Sequence, residues 1–231
     1  MKMKNKNIHF IDCGSNVGTA IDWVKERYKD SNLKVDAFEP EFINYSAILE
    51  KSYKEEYLNI KAHFKAVWVA DEIKTFYIQN WGSRTGSSIF GEKTHTLKKG
   101  QIVPRQYLGI PVSVGEERNS GLPPLFKKDI DGNPQALEDL DLIGPLAFLT
   151  QCIDLSAWIK TNVSKENFNI LKLDIEGAEY QVVRHLLDTE AHEYIDQWMV
   201  EFTPQKKVPD LYDSEVIKRL KSIAKEFINW S

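Results

Sequence analysis

Short apolar runs alternate along this chain with segments whose apolar residues recur every three or four positions. The runs have the length of buried strands, and the recurring segments have the period of amphipathic helices. The predicted strands cover residues 8–11, 33–38, 59–69, 74–79, 148–153, 168–174 and 198–202. The predicted helices follow apolar positions within 17–28, 42–53, 154–159, 183–187 and 216–227. This alternation predicts an α/β fold with a doubly wound, mainly parallel sheet.

Residues 82–147 interrupt the alternation. They are rich in glycine and proline and have no sustained period, so we predict an insertion or lid within a single domain that spans residues 1–231. Short strands are expected there at 102–103 and 110–114. The insertion is either a lid over a substrate site or a mobile excursion, and the sequence does not decide between these two alternatives.

The first predicted strand ends in the sequence Asp-Cys-Gly-Ser-Asn-Val-Gly at residues 12–18. Such a junction suits an anionic ligand group, because glycine permits close approach of the backbone and the next helix offers free N–H groups. The spacing is neither the three-glycine dinucleotide fingerprint nor a phosphate loop with its lysine.

Acidic residues stand near the ends of four predicted strands: Asp12, Glu39, Asp174 and Glu201. Because ligands of open α/β sheets lie beyond the carboxyl ends of the strands, these acids predict one acidic edge. Glu39 has the position of an acid that accepts hydrogen bonds from ribose hydroxyls. The alternative is that Glu39, next to Pro40, belongs to the start of the second helix.

Several segments together resemble the FkbM family of S-adenosylmethionine-dependent methyltransferases. Phe38-Glu39-Pro40 and the sequence Lys-Leu-Asp-Ile-Glu-Gly-Ala-Glu at 172–179 are similar to two signature segments of that family. Residues 12–18, 65–67 and 200–201 are similar to three further segments. The resemblance covers roughly residues 8–90 and 148–203. It implies a class I methyltransferase fold of Rossmann-like type, S-adenosylmethionine as the cofactor, and O-methylation of a hydroxyl on a sugar, a glycan or another small metabolite.

The resemblance also implies which residues bind the methyl donor. The implied set is Asp12, Gly14, Ser15, Asn16, Gly18, Glu39, Pro40, Ala66 and Val67. In this reading the glycine turn holds the methionine portion, and Asp12 orients the turn or accepts from the amino group. Glu39 holds the ribose, and residues 66–67 border the adenine.

A sugar hydroxyl is hardly ionised at pH 7, so its methylation requires a base or a group that stabilises the alkoxide. Asp174 and Glu176 are the best candidates, and both could join Glu201 in binding Mg²⁺ or Mn²⁺ through oxygen atoms. His95, within the predicted lid, is a third catalytic candidate. Glu179 is expected only to favour the start of a helix through the helix dipole.

The amino-acid composition limits the classes of partner that we expect for this protein. A net charge of −4 argues against a large nucleic-acid footprint. No apolar run approaches the roughly 18 residues that a membrane span needs, and no signal-peptide segment is seen, so we expect a cytoplasmic protein without a membrane partner. Cys13 and Cys152 form neither a disulfide framework nor a thiol metal site.

Two expectations concern the end of the sheet and its edge. The class I methyltransferase fold usually finishes with an antiparallel strand hairpin, and few residues follow the last predicted helix. We therefore expect the sheet to lack part of that hairpin. A homodimer that covers the resulting edge stays open.

Two other functions stay in competition. An NAD-binding Rossmann oxidoreductase fits the first 40 residues, but it leaves residues 174–179 unexplained and lacks a glycine at Asn16. A catalytically inactive S-adenosylmethionine-binding module is the other alternative.

Overall fold

A computed structural model describes residues 6–54, 57, 59–78, 87–90, 126–128, 134–136 and 146–230. The chain divides into two compact units, Met1–Glu72 with Gln151–Ser231, and Ile73–Thr150. The predicted insertion at 82–147 falls inside the second unit. His95 and the strands expected at 102–103 and 110–114 lie outside the described residues.

The strands and helices alternate along the chain much as the hydrophobic pattern predicts. The strands are β1 (Asn7–Cys13), β2 (Asn32–Phe38), β3 (Ile60–His63), β4 (Ala66–Trp68), β5 (Ile73–Ile78), β6 (Phe126–Lys128), β7 (Pro134–Ala136), β8 (Leu146–Asp154), β9 (Phe168–Leu173), β10 (Gln197–Val200) and β11 (Glu226–Asn229). The α-helices are α1 (Thr19–Arg27), α2 (Phe42–Ser52), α3 (Leu155–Asn162), α4 (Glu179–Asp188) and α5 (Ser214–Ile223), and a 3₁₀ helix covers Ala191–Tyr194. Among the described helices, none combines the length and the apolar character required to cross a bilayer.

The first unit is built on a six-stranded sheet in the order β11-β10-β9-β1-β2-β3. Every neighbouring pair in it is parallel. The predicted α/β fold with a mainly parallel sheet is therefore confirmed. The central strands are mainly apolar and do not alternate strictly, because a parallel sheet with helices on its faces buries both sides of a strand.

One face of this sheet packs against α1. Ile8 and Phe10 of β1 meet Val35 of β2 and the helix residues Ile21 and Val24 in a single buried cluster. These helix residues follow the predicted period, so the amphipathic pattern of α1 is confirmed. Complete burial of a side chain such as Phe10 stabilises the fold by roughly 1.5–3 kcal/mol.

The prediction for α2 is correct in extent and wrong in its buried face. Phe42 and Tyr53 mark the predicted apolar stripe, yet Tyr53 is 77% exposed, whereas Asn44 and Ile48 are buried. The aromatic rings near the start of α2 pack sideways against Phe64, with centroid distances of 6.1 Å and 4.9 Å for Phe42 and Tyr45. Contact with this neighbouring ring is why the aromatic stripe does not face the sheet.

Two other elements differ from the sequence prediction. The single strand expected at 59–69 is two strands, because the chain turns after β3 and Lys65 N–H donates to His63 O at 2.9 Å. β4 then pairs in parallel with β8, away from the six-stranded sheet. The helix expected at 216–227 ends at Ile223, and Phe227 lies in β11, which pairs in parallel with β10.

The second unit is described only in part. β6 and β7 form an antiparallel pair that the sequence pattern did not predict. β5 makes an antiparallel bridge between Tyr77 and Ser88. The ring of Phe76 lies 5.3 Å from that of Phe148, which belongs to the first part of β8.

Candidate functional site

The chain changes direction between β1 and β9, at the centre of the six-stranded sheet. From β1 it continues through β2 to β3 on one side, and from β9 through β10 to β11 on the other. The loops that leave the carboxyl ends of these two strands therefore diverge, and such a switch point is where open α/β sheets bind ligands. Residues 14–18 follow β1 and residues 174–178 follow β9, so the fold brings the two predicted segments together.

The loop after β1 depends on glycine at its first position. Gly14 has a φ of 74°, and a Cβ there would overlap the carbonyl oxygen of Asp174. Only glycine satisfies both constraints. Gly14 N–H and Ser15 N–H both donate to Phe38 O at 3.1 Å, so the loop is fastened to β2. Asn16 also lies in the left-handed region, with a φ of 50°, which asparagine tolerates better than most residues.

Glu39 ties the loop after β2 to the loop after β1. Its carboxylate accepts from Asn16 N–H at 2.8 Å and from Glu41 N–H at 2.9 Å. The side chain is only 5% exposed, and burial raises the pKa of Glu39 to about 8, although the two N–H groups act in the opposite direction. Each carboxylate oxygen retains a second acceptor position, so hydrogen bonds to a ligand remain available.

The start of α2 does not require Glu39. Glu41 is the N-cap of α2, and its side chain accepts from Asn44 N–H at 2.9 Å. Pro40 is buried between the two acids. The alternative in which Glu39 itself caps the helix is therefore wrong.

A buried lysine connects the two loops across the switch point. Lys172, in β9, is 3% exposed and donates to Gly14 O at 2.9 Å. Its Nζ lies 3.3 Å from Asp12 Oδ1 and 3.4 Å from Asp174 Oδ2. Burial raises the pKa of Asp12, and Lys172 counteracts that rise. Burial alone would lower the pKa of Lys172, but Asp12 and Asp174 raise it.

Asp12 is fully buried, and Ser15 Oγ–H donates to its backbone oxygen at 2.8 Å. Within the described chain, neither carboxylate oxygen of Asp12 accepts a well-formed hydrogen bond, so its interaction with Lys172 is an ion pair. These contacts support the role in which Asp12 orients the turn.

Glu179 fixes the turn that carries Asp174 and Glu176. Its Oε1 accepts from Ile175 N–H at 3.0 Å, and both of its oxygens accept from Gly177 N–H at 3.0–3.1 Å. The carboxyl group is fully buried and also faces Thr203 N–H at 3.4 Å. The expected position in the first turn of a helix is confirmed. The hydrogen bonds add a role that the helix dipole alone did not predict.

The turn holds Asp174 and Glu176 differently. Asp174 begins it, directly after β9, and its side chain is 28% exposed beside Lys172. Glu176 lies at its tip, half-buried, with a left-handed φ of 56°. A non-glycine residue in this conformation is uncommon and marks a turn that its surroundings hold in place.

The cation site considered at Asp174, Glu176 and Glu201 is not formed in the part of the chain that the structure describes. Within the described residues there is no group of three His, Cys, Asp or Glu side chains that could hold a metal ion. Asp174, Glu176 and Glu201 are therefore not brought together as a cation site there, and Glu201 is exposed. Ala66 and Val67 are buried in β4, where they pair with Cys152 and Ile153.

His9 and His63 contact the buried Asp36 in β2, next to the candidate site. His9 Nε2 and His63 Nε2 each lie 2.7 Å from a different oxygen of the buried Asp36. Although burial opposes ionisation, these contacts and Lys34 hold the pKa of Asp36 well below its usual range. His63 O also accepts Glu39 N–H at 3.1 Å, so this cluster anchors the end of β2. These contacts give both histidines a structural role.

A separate cavity of about 310 Å³ lies at the opposite end of the sheet. Its walls include Tyr28, Asn32 and Ile60, near the amino ends of β2 and β3. Ligands of open α/β sheets bind at the carboxyl ends, so the cavity is not assigned to the candidate site.

The candidate site thus combines a glycine turn, a buried glutamate and an acidic turn around one lysine. Sequence reasoning included Lys172 in the segment 172–179 without giving it a role, and it missed the hydrogen-bonding role of Glu179. A lysine inside the apolar run of β9 was the available signal for a role of Lys172. Comparisons of the chain with protein-family models, with curated proteins and with solved structures found no match.

Proposed function

We propose that this protein is an S-adenosylmethionine-dependent methyltransferase that methylates a hydroxyl of a sugar, a glycan or another small metabolite. The observation that carries the proposal is the link between Asn16 of the glycine turn and the buried carboxylate of Glu39. This link unites the two segments that resemble donor-binding motifs of the FkbM family. The acidic turn after β9 lies at the same switch point.

The charges at this edge favour a cationic ligand. Asp12, Asp174 and Glu176 contribute three carboxyl groups, and Lys172 contributes one ammonium group. Glu39 adds little charge at neutral pH, because burial raises its pKa to about 8. A pyrophosphate would bring further negative charge to this edge and would compete with Glu39 for Asn16 N–H. S-adenosylmethionine, when bound, supplies a methyl group on a sulfonium cation, and that positive charge suits the acidic edge.

The residues divide the work of methyl transfer as follows. The turn at 14–18 binds the donor's methionine portion, and Glu39 accepts from ribose hydroxyls through its remaining acceptor positions. The acidic turn after β9 receives the acceptor hydroxyl, whose proton passes to Asp174 or Glu176 as the new bond forms. Glu179 holds this turn in place, and positioning of both reactants supplies much of the rate enhancement.

An NAD-dependent oxidoreductase is the second candidate, because a specific observation favours it. The six parallel strands follow the order 3-2-1-4-5-6 of dinucleotide-binding folds when counted within the sheet. Two observations argue against this function. Position 16 is asparagine where the dinucleotide fingerprint has glycine, and Asn16 N–H, which a pyrophosphate would need, already donates to the Glu39 carboxyl group.

Calorimetry with S-adenosylmethionine and NAD separates the two candidates. We expect binding of S-adenosylmethionine, and strong weakening of that binding by Glu39→Ala. The exposed Glu26→Ala serves as the matched control and should bind as the wild type does. Binding of NAD together with failure to bind S-adenosylmethionine would contradict the proposal.

A labelled methyl donor tests catalysis itself. Nucleotide sugars and free glycans, offered as acceptors, should become labelled by the wild-type protein and much less by a variant that carries both Asp174→Asn and Glu176→Gln. Donor binding without transfer to any acceptor, including those in a cell extract, would favour the inactive binding module.

A further inference from the structure

The ammonium group of Lys172 lies between two carboxylates and contacts the glycine turn, residues 14–18. Lys172 Nζ lies 3.3 Å from Asp12 Oδ1 and 3.4 Å from Asp174 Oδ2, and it donates to Gly14 O at 2.9 Å. Asp12 and Lys172 are almost completely withdrawn from solvent. Charges in such surroundings act over longer distances than they do in water, because little solvent screens them.

We infer that Asp12, Lys172 and Asp174 form a charge-selective element that distinguishes the cationic methyl donor from its neutral product, and that Lys172 is the positioning residue that limits this selection. The inference rests on the proposed function. It adds that the donor site recognises the charge on sulfur, and it assigns that recognition to three residues outside the glycine turn proper.

The charge balance of the reaction gives this element its role. Methyl transfer breaks the bond between the methyl carbon and sulfur, and the electron pair of that bond stays on sulfur. A new bond joins the methyl carbon to the acceptor oxygen, whose proton passes to a carboxylate of the acidic turn. The sulfonium cation thereby becomes a neutral thioether, S-adenosylhomocysteine. An edge with more carboxylates than cations stabilises bound S-adenosylmethionine through its positive charge. The same edge gives no such stabilisation to the neutral S-adenosylhomocysteine.

Lys172 moderates the preference because its positive charge opposes that of the sulfonium. Its contact with Gly14 O places this charge next to the turn proposed to hold the donor's methionine portion. At an effective dielectric constant of about 20 and a separation of about 10 Å, removal of one unit charge changes the affinity for a cation on the order of tenfold. Affinity for the neutral thioether should not change through this electrostatic effect.

A purely structural role for Lys172 makes a different prediction. If the lysine only holds the Gly14 carbonyl and shields Asp12, its loss loosens the turn and weakens both ligands alike. The ratio of the two dissociation constants therefore separates the two roles, whereas either constant alone does not.

The experiment measures dissociation constants for S-adenosylmethionine and S-adenosylhomocysteine by calorimetry at one pH and one ionic strength. Measured at a pH high enough to keep Asp12 ionised without its counterion, Lys172→Met should shift the ratio in favour of S-adenosylmethionine by about fivefold or more, and Lys172→Arg should restore the wild-type ratio. Asp174→Asn should shift the ratio the other way. Its side chain is partly exposed, so this variant keeps the inference testable if Lys172→Met does not fold.

Failure of the proposed function and failure of the inference give different binding results. A wild-type protein that binds neither ligand would overturn the proposed function and, with it, the inference. A wild-type protein that binds both, with ratios that stay within twofold in Lys172→Met and Asp174→Asn, would overturn the inference alone.

Discussion

Replacement of Glu39 by glutamine should remove a pH dependence from the stability of the folded chain. Burial raises the pKa of Glu39 to about 8, against an ordinary value of 4.5. Between these two values the folded chain holds a proton on Glu39 that the unfolded chain has lost. Stability from this group is therefore fully present below pH 4.5 and is lost as the pH rises through about 8.

The magnitude follows from the same two values. Stability changes by at most about 1.4 kcal/mol for each pH unit when one proton separates the two states. Across the whole interval the wild type should lose roughly 5 kcal/mol relative to Glu39→Gln, as an upper bound. Glutamine also places an amide NH₂ against the N–H of Asn16 or Glu41, and this costs about 1–3 kcal/mol at every pH. The slope against pH, and not the offset, is therefore the diagnostic quantity.

Urea unfolding of both proteins at several pH values between 5 and 9 measures that slope. The difference in free energy of unfolding, wild type minus Glu39→Gln, should fall steadily as the pH rises. Other groups that titrate in this range contribute equally to both proteins and cancel in the difference. A replacement of the exposed Glu166 by glutamine serves as control. A constant difference between wild type and Glu39→Gln would refute the reasoning and would show that Glu39 is ionised throughout.

Two further substitutions test the construction of the loops. Gly14→Ala should lower the free energy of unfolding by about 1–3 kcal/mol more than Gly18→Ala in urea titrations, because both have a positive φ but only the first adds a Cβ that overlaps Asp174 O. Equal losses would contradict the steric argument. Glu179→Gln should cost about 1–3 kcal/mol and reduce methyl transfer more than donor binding, because it loosens the turn after β9. Glu193→Gln, at an exposed ion pair, should change neither quantity, and a similar loss in both variants would argue against a specific role for Glu179.

The sequence predicted the sheet well because its central strands are buried on both faces. β1 and β9 are consequently mainly apolar, apart from residues such as His9, Asn169 and Lys172, and the acids Asp12 and Asp174 mark their carboxyl ends. Since the ends of parallel strands meet at one edge, the sequence also predicted that residues 12–18 and 174–179 would be neighbours.

Other features depend on contacts that no local pattern contains. The run at 59–69 reads as one strand because apolar content does not reveal the turn at Lys65 that separates β3 from β4. Phe227 fits the period of α5 and also fits a short strand, and its pairing partner in β10 decides between them. The partners of Lys172 lie on two segments, one of them about 158 residues away in the chain, so its position within β9 could indicate only that a buried charge needs compensation.

The hydrogen bond from Lys172 to Gly14 joins positions 158 residues apart, and the strands that carry them are direct neighbours. Closing so long a loop costs conformational entropy before any contact compensates for it, which slows folding of structures rich in such pairings. On the ribosome, β1 to β3 emerge long before β9 and can form only one half of the sheet. The candidate site is thus among the last features that a newly made chain can acquire, and a product of synthesis that stops before β9 has the glycine turn and Glu39 but lacks Lys172 and the acidic turn.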